Sequence, residues 1–260
     1  MKVASLPKYR SGRIMIALML REMSTTYGRS PGGYLWAIMD PVAAVVLLSF
    51  AFSLLLRAPS LGTSFLLFYA AGYLPFNLYN MVANTTSRAL RFSRELLAYP
   101  DVTFVDALFA RFILNTLTQL IVFIVVISGI LAVIDTTAIL DYPQILHALF
   151  LASILGLGLG TLNAFLFEWF PAWMQVWSIL TRPLFLASGI FYIFEDLPRV
   201  AQDLLWYNPL FHVTGLMRAG FYPSYRAAYA STLFVMAIAL IALVLGLLLL
   251  RKHYRNLGEL

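Results

Sequence analysis

The sequence predicts an all-α membrane protein with six transmembrane helices, an N-terminal amphipathic helix at the membrane interface and a re-entrant helical hairpin before the last span. The first observation is composition: hydrophobic residues make up 61% of the 260 residues and charged residues only 12%, about half the charged share of soluble domains. The second is that apolar residues lie in long runs separated by short polar connections. Such runs are typical of a polytopic membrane protein.

Composition also excludes several function classes. The chain has no cysteine, which excludes disulfides, thiolate metal sites and a cysteine nucleophile. It has no Walker A sequence and no metalloprotease or serine-hydrolase motif, and its three histidines lie far apart in sequence. The net charge of +6 does not indicate a nucleic-acid partner, because Lys and Arg gather beside the ends of apolar segments, as orientation signals do. We therefore expect no catalytic residue, metal site or cofactor in this chain.

Residues 1–33 predict a cytoplasmic tail followed by an interface helix. Residues 12–27 fit a helix whose periodicity places Arg10, Arg13 and Arg21 on one face and apolar residues on the other. The run is shorter than the roughly 20 apolar residues that a crossing needs, so we expect it to lie on the membrane with its basic face outward. The alternative is the front of a longer transmembrane helix, which the glycines and proline before residue 34 oppose.

Six spans are expected within residues 34–250, and residues 251–260 are expected to form a second cytoplasmic tail. The spans lie near residues 34–56, 64–83, 104–133, 144–167, 172–194 and 226–250. With both termini in the cytoplasm, twelve of the 18 Lys and Arg residues lie on that side, four on the opposite side and two inside spans. This excess of basic residues predicts that orientation.

Individual spans carry further expectations. Gly72 and Pro75 are expected to break the second span. The third is longer than the bilayer requires, so its start, which contains Asp106 and Arg111, is expected to project into water. In the fourth, the glycines at the two ends of residues 156–160 form a small-xxx-small pair, which permits close contact between helices.

Two sequence blocks resemble a known transporter family. The first comprises Arg21, Tyr27-Gly28-Arg29-Ser30, Gly33-Tyr34-Leu35-Trp36-Ala37 and Pro41, and the second comprises Tyr207-Asn208-Pro209-Leu210-Phe211-His212 with Arg218. In this order, and with the spacing of the apolar segments, they resemble ABC-2 type exporter permeases, in particular those that export capsular polysaccharide.

The resemblance implies a function and a set of partners. A permease of this family is the non-catalytic transmembrane subunit of an ATP-driven exporter, so this chain is expected to move capsular polysaccharide or a related lipid-linked glycan across the bacterial inner membrane. The implied partners are a second copy of the chain, two cytosolic nucleotide-binding subunits that bind ATP and Mg, the lipid bilayer and the glycan. Periplasmic export proteins are a further partner that the resemblance leaves open.

Residues 84–103 form the largest cytoplasmic connection, in which arginines recur every three residues before a proline stops the helix. The residues alone leave open a basic loop that only sets orientation. The resemblance implies instead a coupling helix that docks on the nucleotide-binding subunit. Its candidate residues are Arg88, Arg91, Arg94, Glu95, Tyr99 and Pro100.

The connection over residues 195–225 contains two short helical pieces separated by Asn208-Pro209. Both pieces are too apolar for a free loop and too short to cross the membrane. We expect a re-entrant hairpin, and the alternative is an amphipathic pair that rests on the outer leaflet.

Aromatic residues make up 15% of the chain, and aromatic rings offer flat apolar contact to the C–H faces of sugars. The resemblance implies that the first and fifth spans line the substrate conduit. The candidate conduit residues are Tyr34, Trp36, Phe52, Trp173, Trp177, Phe185, Phe191 and Tyr192. For any single ring, an interfacial belt or lipid-facing packing remains the alternative.

Other functions stay open on the sequence. Within the family, the cargo could be O-antigen, teichoic acid or a hydrophobic small molecule. An ion-coupled secondary transporter is the alternative of another class, but such carriers usually need ionisable groups deep in the membrane. Only Arg182 is expected at mid-depth of a span, so this alternative is weaker.

Overall fold

The computed structural model describes residues 10–26, 33–99, 101–134 and 140–257. In these ranges the chain forms eleven α-helices and no β-strand. In chain order the helices are α1 (Arg10–Thr26), α2 (Tyr34–Leu55), α3 (Phe65–Ser87), α4 (Ala89–Phe92), α5 (Arg94–Leu97), α6 (Phe104–Val133), α7 (Tyr142–Trp169), α8 (Pro171–Ala187), α9 (Arg199–Leu205), α10 (Pro209–Phe221) and α11 (Thr232–Leu257).

Four of these helices, α2, α6, α7 and α11, are long and apolar enough to cross a membrane. Less than half of the apolar stretch is buried in α2, α6 and α11, as expected for helices whose outer faces contact lipid. The predicted all-α membrane class is confirmed. The bounds of α2 and α6 match the ranges 34–56 and 104–133 closely, and α6 begins where Thr103 and Asp106 form a capping box.

Helix α7 is the centre of the bundle and packs against α3, α10 and α11. Glycines in α7 allow neighbouring helices to approach it closely. A Cβ on Gly156 would lie 3.0 Å from the carbonyl oxygen of Tyr79 in α3, and a Cβ on Gly158 would lie 2.2 Å from that of Ala239 in α11. Gly160 approaches α3 in the same way. The close helix contact predicted for this glycine pair is confirmed.

Helix α3 runs without interruption through Gly72 and Pro75, so the expectation that they break it is wrong. The proline removes a single backbone donor from the helix. The glycine provides space for a neighbouring segment: a Cβ there would lie 3.1 Å from the Cα of Ile190 and 3.2 Å from a guanidinium nitrogen of Arg218. Tertiary contacts therefore explain a residue that, in the sequence, resembles a helix breaker.

The predicted fifth span, 172–194, is wrong at its C-terminal end, because α8 ends at Ala187. Gly189 has a φ of +72°, a conformation that favours glycine and ends the helix. The turn that follows packs on α10, where the Thr214 hydroxyl donates to the Ser188 carbonyl at 2.8 Å. Phe191 and Tyr192 therefore lie beyond the helix.

The last helix is displaced along the sequence relative to its predicted range, 226–250. Residues 222–231 form turns, and α11 continues to Leu257, into the segment expected to be a tail. Two short helices, α9 and α10, precede it, with Asn208 between them as expected. The Asn208 side chain accepts from the Leu210 N–H at 3.1 Å and donates to the Ala187 carbonyl at 2.8 Å, so it caps α10 and joins it to the end of α8.

Candidate functional site

A groove runs between α3 and α8. It consists of two adjacent cavities of about 480 and 730 Å³ that share Asn80, Thr181 and Arg182. Helix α2 closes part of its side through Leu47 and Leu48. The lining residues from α3, from Arg88 directly after it and from α8 are Tyr73, Phe76, Asn77, Asn80, Asn84, Arg88, Met174, Gln175, Trp177, Ser178, Ile179, Thr181, Arg182 and Phe185.

The α3 side of the lining follows helical spacing, because successive positions at 73, 76 or 77, 80 and 84 are three or four residues apart, and Arg88, directly after α3, comes four residues later. At 1.5 Å per residue, this stripe is about 22 Å long. We call the end of the helix bundle that holds α4 and α5 the inner end, and the opposite end the outer end. The α3–α8 groove therefore extends over much of the bundle.

The two halves of the α3–α8 groove differ in chemistry. The inner half is the more polar one: Asn84, Arg88, Gln175 and Ser178 line it, beside the ring of Trp177. The outer half is aromatic and contains Tyr73, Phe76 and Phe185. Amide, hydroxyl and guanidinium groups are thus more numerous in the inner half, and the outer half holds three aromatic rings.

Three candidate conduit residues meet at the outer end of the groove. The ring centroid of Phe191 lies 5.2 Å from that of Phe185 and 5.4 Å from that of Phe52. These residues come from α2, α8 and the turn after α8. Their contacts with α3 include Tyr69, 5.2 Å from Phe52, and Phe76, 5.4 Å from Phe185. Helical periodicity alone does not indicate this cluster, because Phe191 lies outside the helix that it was assigned to.

The two tryptophans of α8 have different environments. Trp177 lines the inner half of the groove and a further cavity of about 220 Å³ near Asn208 and Leu210. The Trp173 indole N–H donates to the Asn163 side chain of α7 at 2.9 Å. Trp173 therefore packs against α7, which favours the packing interpretation for this ring.

The remaining conduit candidates lie apart from the groove lining. The Tyr192 hydroxyl donates to the Leu186 carbonyl at 2.8 Å, and its ring centroid lies 5.9 Å from that of Phe211. Trp36 is exposed on α2. Tyr34 begins α2, and its side chain lies outside the described part of the structure.

The segment expected to form one coupling helix forms two single turns, α4 and α5, separated at Ser93. Arg94, Glu95 and Tyr99 are exposed, with the Glu95 side chain 90% exposed and Tyr99 62%. Pro100 lies outside the described residues. The exposed side chains of α5 and the following turn are therefore available to a partner.

Two of the coupling candidates, Arg91 and Arg88, contact other parts of the chain. The Arg91 Nε donates to the Glu168 carboxylate at 2.6 Å, and its Nη2 donates to the Phe167 carbonyl. Arg91 thus joins α4 to the C-terminal end of α7. Arg88 lines the α3–α8 groove.

The start of α6 does not project into water, contrary to expectation, because α1 covers it. Asp106 is buried and accepts from the Ser11 hydroxyl of α1. Arg111 is 9% exposed and Glu22 of α1 is 4% exposed, and the Arg111 Nη2 lies 3.0 Å from a Glu22 carboxylate oxygen. Asn115 also donates to that carboxylate, at 3.4 Å. Burial of this charge pair is tolerated because the two charges face each other, with the Arg111 Nε donating to both Glu22 carboxylate oxygens and Asn115 donating to the same carboxylate.

The buried pair extends to α4 and α5 through an aromatic ring. The guanidinium carbon of Arg111 lies 4.3 Å from the centroid of the Phe92 ring, and that of Arg21 lies 5.4 Å from it. Arg21 also lies 3.7 Å from the Glu95 carboxylate. These side chains, which we call the inner-end network, join α1, α4, α5 and α6.

The predicted basic face of α1 is thus divided. Arg21 belongs to the inner-end network, whereas Arg13 is exposed, and the Arg10 side chain lies outside the described part of the structure. Sequence patterns do not indicate Glu22 as a functional residue. The available signal is one acidic residue in an otherwise apolar and basic helix, but its pairing with α6 depends on tertiary structure.

A second buried arginine lies at the outer end. Arg218 of α10 is 2% exposed and donates to the carbonyls of Ile190 at 2.8 Å and Tyr192 at 2.7 Å. Its guanidinium carbon lies 4.2 Å from the centroid of the Phe68 ring of α3. Arg218 therefore fixes the turn that carries Phe191.

A tyrosine and a carboxylate meet in the connections on either side of α9 and α10. Burial is the main factor that raises the pKa of Tyr225, and Tyr229 and Glu195 raise it further. The hydroxyl therefore stays protonated and donates to the Glu195 carboxylate at 3.1 Å.

Comparisons with known proteins identify the family of this chain. The model of the ABC-2 type transporter family matches residues 14–222. The chain is 30% identical to the polysialic acid transport protein KpsM of Escherichia coli, over 91% of this chain and 92% of that protein. It is 27% identical to the capsule polysaccharide export inner-membrane protein BexB of Haemophilus influenzae and 25% identical to CtrC of Neisseria meningitidis serogroup A, in both cases over 94% of this chain and 92% of the relative. The chain therefore belongs to the ABC-2 type transporter family.

Proposed function

We propose that this chain is the permease subunit of an ATP-driven exporter that moves capsular polysaccharide, or a related lipid-linked glycan, across the bacterial inner membrane. Family membership and relatives whose names describe polysialic acid transport and capsule polysaccharide export support the class of cargo. The observation that carries the proposal is the α3–α8 groove, which offers amide and hydroxyl groups followed by aromatic rings to a chain of sugars.

In this proposal α3 and α8 join the four apolar helices to give six crossings. Helix α3 is 23 residues long and most of its side chains are buried within the bundle, so its polar residues do not contact lipid. Helix α8, with 17 residues, is about 26 Å long, and the turn after it covers the rest of the hydrocarbon, which is about 30 Å thick. The distribution of Lys and Arg supports a cytoplasmic position for both termini.

Helix α1 lies on the cytoplasmic surface of the membrane. Ile16 and Leu20, spaced four residues apart, are exposed apolar side chains that would contact lipid. Leu18 and Glu22 instead face α6. The helix hairpin formed by α9 and α10 enters the membrane from the outer side without crossing it, and α10 is buried against α3 and α7.

A second copy of the chain closes the groove. No residue of α8 is buried, and most exposed side chains of α2 are apolar. A two-fold pair that covers these helices would enclose a path between two facing grooves. Sugar rings would slide along the aromatic outer half without one tight binding position, because flat apolar contact does not depend on a fixed hydrogen-bond geometry.

The energy comes from two cytosolic subunits that bind ATP and Mg. They would contact Arg94, Glu95 and Tyr99, which are exposed on and after α5. A displacement of α4 and α5 would reach α6 and α1 through the inner-end network, because the Phe92 ring contacts Arg111 and Arg21. The chain itself supplies the path for the glycan.

Reconstitution tests this function. The tagged chain is purified from membranes of its host with any bound cytosolic ATPase and inserted into liposomes, and the movement of lipid-linked glycan is measured. We expect transport to require ATP and the second subunit and to be insensitive to proton and sodium ionophores. Transport by the chain alone that an ionophore abolishes would show an ion-coupled carrier instead. A non-hydrolysable ATP analogue is the control.

A further inference from the structure

Two arginines share the inner half of the α3–α8 groove. Arg88, from the residue after α3, and Arg182, from α8, both line its larger cavity. The other polar side chains of that cavity are Asn80, Asn84, Gln175, Ser178 and Thr181. No acidic residue lines either cavity of the groove.

These two arginines have no counter-ion in the described residues. Arg91 pairs with Glu168, and Arg111 pairs with Glu22. In contrast, neither Arg88 nor Arg182 has an ion pair or a side-chain hydrogen bond within the described ranges. Glu168 follows the lining residue Phe167, but its carboxylate is bound to Arg91. Two like charges therefore share one cavity, and neither forms an ion pair within the described ranges.

With α8 crossing the membrane as proposed, the position of the exposed Arg182 makes this arrangement costly. It is the twelfth of the 17 residues of α8, and a charge at the centre of a membrane helix costs about 3 kcal/mol. Such residues face water-filled cavities or partners and mark substrate pathways. Guanidinium groups donate in a planar fork that matches a carboxylate or a phosphate. The cavity thus presents donors and positive charge to an anion.

We propose that the inner half of the groove is an anion-binding subsite, in which Arg88 and Arg182 hold a carboxylate or phosphate group of the exported glycolipid. The subsite rests on the proposed function, because it takes the groove as the export path. Its amide and hydroxyl groups bind the sugar or glycerol oxygens beside the anion. The aromatic outer half then receives the uncharged parts of the chain. Cargo with an acidic group is therefore recognised at the inner end, before it reaches the aromatic rings.

Binding to the purified permease complex tests the subsite. The probes are a sialic acid hexamer, which carries carboxylates without lipid, and phosphatidylglycerol in mixed micelles, which carries a phosphate without sugar. Maltohexaose and phosphatidylcholine are the probes without net charge. Trp177 lines the same cavity, so tryptophan fluorescence reports binding, and calorimetry checks it independently.

The double variant combines Arg88→Gln with Arg182→Gln. The matched control is Arg57→Gln, because Arg57 is exposed and lies outside the groove. We expect the double variant to bind at least one anionic probe at least tenfold more weakly and the uncharged probes unchanged. If the double variant loses binding of only the sialic acid hexamer, the subsite binds carboxylates. If it loses binding of only phosphatidylglycerol, the subsite binds phosphates, and if it loses binding of both, the subsite accepts both groups. Arg182→Lys keeps the charge and should retain more affinity than Arg182→Gln.

Three results would overturn the subsite: full anion binding by the double variant, an equal loss with Arg57→Gln, or identical behaviour of Arg182→Lys and Arg182→Gln. Size-exclusion profiles show whether each variant is folded, and the single variants replace the double variant if it is not. If the variants still export glycan with ATP and bind anions as the unchanged protein does, the subsite is rejected and the proposed function is retained. If anion binding depends on both arginines but no ATPase is found with the purified chain, the proposed function is rejected and the subsite is retained.

Discussion

Buried arginines at the two ends of the molecule are held in different ways. At the inner end, Arg111 pairs with the Glu22 carboxylate at 3.0 Å and lies on the Phe92 ring. At the outer end, Arg218 donates to the backbone carbonyls of Ile190 and Tyr192. One arginine therefore joins side chains of separate helices, and the other fixes the course of the backbone.

This difference separates two tasks. The contacts of the inner-end network run between side chains of α1, α4, α5 and α6. In the proposed function these helices move together while the network stays intact. Arg218 defines the turn at residues 188–193, and thereby the position of Phe191 against Phe185 and Phe52. The inner end is suited to transmit displacement, and the outer end is suited to keep the aromatic half of the groove in shape.

The largest effect is expected at the outer end. Arg218→Met leaves the carbonyls of Ile190 and Tyr192 without a donor, at a cost of about 1–3 kcal/mol each, and removes the contact with the Phe68 ring. Thermal unfolding of the purified protein in detergent should show a large loss, and Arg218→Lys a smaller one, because an ammonium lacks the planar fork. The exposed Arg226 supplies the control Arg226→Met. Equal unfolding temperatures for Arg218→Met and Arg226→Met would refute the backbone role.

The next effect is expected in the inner-end network. Glu22→Ala leaves Arg111 as an unpaired buried charge and should destabilise the fold by about 3 kcal/mol. Replacing both partners, as Glu22→Ala with Arg111→Met, should recover part of that loss, because no buried charge remains. The double-mutant cycle is measured by chemical unfolding. If the losses in unfolding free energy caused by Glu22→Ala alone and Arg111→Met alone add up to that of the double variant, the pair does not stabilise the contact between α1 and α6.

Charge reversal at α4 and α5 should separate anchoring from docking. Arg91→Glu places a second negative charge beside Glu168 and should lower the unfolding temperature by a few degrees, whereas Arg94→Glu should leave it unchanged because Arg94 is exposed. Both variants should reduce glycolipid-stimulated ATP hydrolysis of the assembled complex several-fold. Unchanged hydrolysis in both would mean that this segment does not contact the ATPase.

The smallest effect on stability, but a clear one on transport, is expected in the groove. Replacing Trp177 and Phe191 by Ala removes aromatic contacts from both halves and should impair export while the complex stays assembled. Phe150→Ala is the matched control, because Phe150 is an exposed ring on α7 that does not line the groove. Export is measured as surface glycan per cell at equal permease abundance. Normal export by the double variant would remove these rings from the path.

The comparison also explains what the sequence predicts well. Helix α6 is a long apolar run that begins at a local capping box of Thr103 and Asp106, so sequence-local signals determine its bounds. In contrast, the glycine within α3 makes room for Ile190 and Arg218, and Arg218 holds the turn after α8 through the Ile190 carbonyl. These partners lie more than 20 residues away in sequence, so local patterns predict neither the uninterrupted α3 nor the early end of α8. The pairing of Glu22 with Arg111 spans 89 residues, and no local pattern predicts it.

The candidate site follows the same rule. Phe191 contacts Phe52 and Phe185, whereas Trp173 packs on α7 and Arg91 anchors α4. That the three rings line a conduit stays a prediction. Residue type indicates which side chains suit a sugar or a partner. Which of them face the groove depends on helix packing, because an aromatic stripe that lines a path and one that packs between helices have the same spacing.

The most direct test of the groove as the export path uses the absence of native cysteine. Ser178→Cys places a thiol in the groove, and Val176→Cys places one on an exposed part of α8 that does not line it. Each variant is assembled with its ATPase, treated with a bulky thiol reagent and assayed for ATP-dependent glycan export. Modification at position 178 should block export and modification at 176 should not. Normal export through a permease fully modified at 178 would contradict a path along α3 and α8.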